Sequence, residues 1–77
     1  MHIKWTREDD RLVGEGEIAD YAISRDRFGA QLTCWAKGKD RVLPFPSIRK
    51  AKQAAQRWER EINELNAANL PVQIPWE

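Results

Sequence analysis

From residue 47 to residue 65 the apolar side chains Ile48, Ala51, Ala55, Trp58, Ile62 and Leu65 recur at steps of three and four. That spacing places them on one stripe of an α-helix. Ser47 is a good N-cap, and Pro46 before it helps end the preceding segment. Asn69 can take the left-handed stop, and Pro71 prevents continuation. The pattern therefore predicts a helix over about 47–68, followed by an extended apolar tail over 69–77.

Upstream the period changes to two. Alternation predicts strands over about 3–7, 18–24, 28–37 and 41–45. The segment between the first two is expected to be a loop, because Glu8, Asp9 and Asp10 are followed by Gly14 and Gly16; Leu12 and Val13 mark at most a brief strand there. Pro44 cannot donate a ladder hydrogen bond, so the last strand should lie at an edge. The expected inward set is Tyr21, Ile23, Phe28, Leu32, Cys34, Leu43 and Phe45 from the sheet, with Ile48, Ala55, Trp58, Ile62 and Leu65 from the helix. The fold class is α+β: a small antiparallel sheet of three to four strands packed on one C-terminal α-helix, forming a single domain over 1–77.

With 77 residues there is room for one core only. Cys34 is the sole cysteine, so an intrachain disulfide and a zinc site of four thiolates are both excluded. Lys and Arg total 13 against 12 for Asp and Glu, a net charge of +1. That balance is unlike a domain whose whole surface attracts nucleic acid, and leaves room for a local patch. The opening residues lack the apolar core of a signal peptide, and no run is long enough for a membrane span. A cytoplasmic location is the expectation.

The chemistry-bearing residues point to contact rather than catalysis. Strand parity puts Gln31, Thr33, Trp35 and Lys37 on the outer face. An outward Trp35 anchors a partner protein or stacks on a base, unless the chain's own N-terminal strand or tail, or a second copy, covers it. Trp76 either packs back on the sheet or serves as a docking element. Arg49, Lys50 and Lys52 stand at the helix start and Glu59, Glu61 and Glu64 later, against the preference of the helix dipole; a basic start suits an anion. The competing explanation is a solvated face with i,i+4 pairs Arg57–Glu61 and Arg60–Glu64. Glu8, Asp9 and Asp10 lack the spacing of a calcium loop. Cys34 faces inward, where a thiol is inert, and His2 is its only conceivable partner. There is no phosphate loop, zinc signature or spaced carboxylate pair, so no enzyme activity, metal or cofactor is expected.

The strand order, with the YAI…FGAQLTCW pattern (Tyr21 to Trp35) and the spacing of Ser47, Ala51, Ala54 and Ala55, resembles small phage or prophage proteins built as strand-strand-strand-helix. In outline it is also similar to the arm-binding domain of tyrosine integrases, in which a three-stranded sheet backed by a helix enters the major groove of DNA. The likeness covers residues 18–66. It departs from that family on the outer face, where Asp20, Ala22, Ser24, Gln31, Thr33, Trp35 and Lys37 are polar and hardly basic, whereas phosphate contacts dominate DNA affinity. The expected function is therefore that of a small non-catalytic binding protein, possessing a protein–protein contact surface on the outer sheet face and tail, with a homodimer as one form of it. The alternative is a DNA- or RNA-binding module that adds Arg25, Arg27, Lys39, Arg41, Arg49, Lys50 and Lys52 to the same face.

Overall fold

A computed structural model describes residues 3–36 and 38–76. The elements are β1 (Lys4–Glu8), β2 (Arg11–Glu15), β3 (Asp20–Asp26), β4 (Gly29–Trp35), β5 (Arg41–Phe45) and α1 (Ile48–Ala67). The five strands form one antiparallel sheet in the order β1-β2-β3-β4-β5, each beside its neighbour in sequence. This is the expected α+β class, with one more strand than expected.

The additional strand is β2. Its Gly14 reads as a loop residue, yet its role is a close approach: a Cβ there would lie 2.7 Å from both the Ile3 side chain and the Trp5 ring. The bare backbone is a seat for the neighbouring strand's indole. The β1–β2 hairpin closes through Asp9, which takes a left-handed φ of 49°. Aspartate tolerates that region better than most residues. Pro44 lies in β5, at the sheet edge.

Register separates the two faces. Toward the helix point the rows Trp5–Gly14–Tyr21–Cys34–Arg41 and Arg7–Leu12–Ile23–Leu32–Leu43; the opposite face carries Thr6–Val13–Ala22–Thr33–Val42. The helix is capped by the Ser47 hydroxyl, which accepts the Lys50 N–H at 3.2 Å. It lies against β3, β4 and β5, so the β1–β2 hairpin overhangs beside it. Ala51, Ala55 and Ile62 are fully buried against Tyr21, Ile23, Leu32 and Cys34. Each large aliphatic side chain so placed contributes about 1.5–3 kcal/mol.

One expectation about the core needs correction, and one open alternative is decided. Phe28 is 87% exposed. It occupies the two-residue turn between β3 and β4, where its N–H is held by Asp26 Oδ1 at 2.8 Å, so strand parity does not reach it. Trp76 is buried. Its ring meets Tyr21 edge-on at 5.9 Å and Trp58 at 5.7 Å, and Phe45 packs on Trp58 at 6.3 Å. The indole N–H donates to the Lys39 carbonyl at 2.7 Å, and Arg41 donates to the Trp76 carbonyl at 3.0 Å. The tail thus completes the core, with Val72 and Ile74 packed against it.

Candidate binding surfaces

Two surfaces on opposite sides of the sheet are candidates for recognition. The first is the outer face. Trp35, at the end of β4, is 37% exposed, and Val42 in the adjacent edge strand is 54% exposed. Between them the row Val13–Ala22–Thr33–Val42 is small and flat, and Gln31 is exposed beside it. No described element lies over this face. Directly across from Trp35 is Asp20, and Glu15 follows in the same row. The indole therefore stands beside acidic side chains. Gln31, Thr33 and Trp35 share the face, as expected; Lys37 lies outside the described residues. Trp76 does not share it, being part of the core on the helix side.

The second surface is a cleft on the helix side, under the overhanging β1–β2 hairpin. Its volume is about 240 Å³. Arg7, Arg25 and Lys52 form its polar walls, and Leu12, Ile23 and Ile48 its apolar lining. Arg11 and Asp10 line it too, and both also line a shallow depression next to it, as does Arg25. Among the described residues none of Arg7, Arg11, Arg25 and Lys52 makes an ion pair. The Lys52 ammonium instead rests over the Trp5 ring, 5.6 Å from its centroid. The Trp5 indole Nε1 is buried without a hydrogen-bond partner.

The basic residues singled out in the sequence fall into separate groups. Arg25 and Lys52 meet in the cleft. Arg27 stands in the β3–β4 turn, and Arg49 and Lys50 lie exposed on the first turn of the helix. Lys39 and Arg41 sit at the far end of the sheet, where they hold Trp76. None of these residues joins Trp35 on one continuous basic face. The helix also carries the expected i,i+4 contact, Arg57 Nε to Glu61 Oε1 at 3.7 Å.

Glu59, expected only as one of the later helix charges, is buried at 2% exposure. Its carboxyl group accepts from the Tyr21 hydroxyl at 2.9 Å, the Glu17 N–H at 3.0 Å and Asn63 Nδ2 at 3.3 Å. Gly16 gives it room: a Cβ at that position would collide with the Glu59 carboxyl and with the Ala19 carbonyl. Burial, and then the neighbouring Glu59 charge, push the Tyr21 phenol far above its ordinary range. Burial alone pushes the Cys34 thiol up to about 12. Both groups stay protonated at neutral pH, so neither is a nucleophile or a base there. Among the described residues no cluster of three or more His, Cys, Asp or Glu could hold a metal ion. Among the described residues no helix is long and apolar enough to cross a membrane.

Comparison with family models, with curated proteins and with solved structures finds no match to this chain. The five-stranded sheet also departs from the three-stranded outline of the integrase arm-binding domain.

Proposed function

We propose that this chain is a small non-catalytic binding module that holds a partner protein on the uncovered face of its sheet. The observation that carries this reading is Trp35, exposed beside Asp20 and Glu15 on a flat row of small residues. Aromatic side chains in such settings supply most of an interface's affinity. Acidic neighbours select the partner: an apolar socket rimmed by Lys or Arg complements them. The same acidic neighbours disfavour nucleic acid on this face, because phosphates would meet carboxylates. The lone, buried Cys34 thiol suits a reducing compartment such as the cytoplasm.

The test begins with a partner identified by cross-linking through residue 35, then purified. Trp35→Ala should weaken binding by at least about 2 kcal/mol, roughly thirtyfold, with an unchanged circular dichroism spectrum. Asp20→Lys should weaken it further and make the remainder insensitive to salt. Equal affinity of wild type and Trp35→Ala for the purified partner would reject the reading. Concentration-dependent dimerisation abolished by Trp35→Ala would replace the foreign partner with a second copy.

A further inference from the structure

We infer that the cleft between α1 and the overhanging β1–β2 hairpin binds an organic phosphate of mononucleotide size. The inference is independent of the outer face, since the cleft opens on the other side of the sheet. Arg7, Arg25 and Lys52 come from three different elements and converge on one concavity. Side chains of like charge repel one another when they share a wall. Among the described residues that line the cleft, Asp10 is the one acidic side chain. No ion pair neutralises the three walls among the described residues. An anion would convert this repulsion into attraction. Two guanidinium groups with a lysine are the set that grips a phosphate, the arginines through paired N–H donors and the lysine as a point charge.

The lining specifies more than an inorganic ion. Leu12, Ile23 and Ile48 present carbon to the cleft, and Ile23 is fully buried. An apolar lining favours a ligand with a non-polar or flat body attached to its charge. Low dielectric beneath the charges also strengthens their pull on an anion. The volume of about 240 Å³ lies just under the range of ordinary ligand pockets, about 300–1,000 Å³, and so admits one small organic group. Lys52 is held at the wall by the Trp5 ring, which reduces the ordering required on binding. The positive end of α1 adds to the field from the same side. A nucleoside phosphate has this combination of charge and flat body, as a free molecule or as one unit of a single strand.

Nuclear magnetic resonance of the intact chain tests the inference, with the Trp5 indole N–H as reporter beside Lys52. The probes are adenosine 5′-monophosphate, neutral adenosine, and a short oligothymidylate. At about 5 mM of the nucleotide, enough to fill most of a site with a Kd of about 1 mM, the Trp5 indole and the amides of Leu12, Ile23 and Ile48 should shift. Adenosine should leave them in place. Arg25→Ala and Lys52→Ala should each weaken binding about tenfold while the spectrum keeps its dispersion, and Arg7→Ala replaces either variant that fails to fold. Tighter binding of the oligonucleotide, falling steeply with salt, would identify a strand as the source of the phosphate; binding of the mononucleotide alone would identify a free ligand. No shift at these residues with either phosphate, an equal response to adenosine, or affinity unchanged in the charge variants would overturn the inference.

Discussion

Glu59 stands four residues after Ala55 and three before Ile62, so its position belongs to the buried stripe although its type belongs to solvent. The fold resolves this conflict with three donors, of which Tyr21 is the deepest. Spacing therefore carried the signal, and residue type hid it; a buried tyrosine hydroxyl that needs a partner was the clue to look for. The raised proton affinities of Tyr21 and Cys34 have a definite sign. Both groups keep their protons in the folded chain at a pH where the unfolded chain has released them, near 9.0 for the thiol and 10.0 for the phenol. Their contribution is complete below those values and is lost progressively as pH rises from them toward the raised folded-state values, about 12 for the thiol. Denaturant unfolding at about pH 8 and about pH 10.5 should show stability falling by up to about 1.4 kcal/mol per pH unit for each group. Tyr21→Phe should remove the phenol's share of that slope. A flat profile above pH 9.0 would contradict the burial of both groups.

At the level of elements, the helix is oriented against its own side chains. It has no acidic residue in its first turn and no basic residue in its last. Arg49 is exposed there, so Arg49→Glu should stabilise the chain by about 0.3–1 kcal/mol in thermal unfolding at low salt. Loss of stability in that variant would show that Arg49 has a structural partner. The helix itself was fully legible, since its stripe, its Ser47 cap and its Asn69 stop, at a φ of 56°, all act locally. β3, β4 and β5 were legible from alternation. β2 was not, because Gly14 and Gly16 look like turn residues until one knows what lies over them: the Trp5 ring and the Glu59 carboxyl. Those contacts join distant parts of the chain, and no local pattern encodes them. Phe28 failed for the opposite reason, as a local turn interrupts the alternation that pointed it inward.

Across the whole molecule, near-neutrality conceals a modest tilt of charge. The end that holds the helix start carries Arg7, Arg11, Arg25, Arg27, Arg49, Lys50 and Lys52 against Glu8, Asp9, Asp10 and Asp26; the other carries Glu15, Glu17, Asp20, Asp40, Glu61 and Glu64 against Lys4, Lys39 and Arg41. The long dimension is 40 Å, well beyond a Debye length of about 8 Å, so each end meets its surroundings as a separate surface. Trp76 closes the acidic end. Trp76→Ala should cost about 3–5 kcal/mol, much of the stability of a domain this small, and lower Tm by more than about 12 °C. A shift of only a few degrees would mean that the tail is dispensable. The sequence left the tail's two fates open, since two prolines keep it extended in either case, and only the shape of the Tyr21–Trp58 surface decides between them.

The up-and-down order of the strands also sets a timetable. Each hairpin closes over a short stretch of chain, whereas the Trp76 indole must find Tyr21 across most of its length. Loops of low sequence separation form quickly and distant ones slowly. The ribbon and rod should therefore assemble first, with the C-terminal clasp arriving last, and a refolding chain should pass through a moment when its tail is still loose.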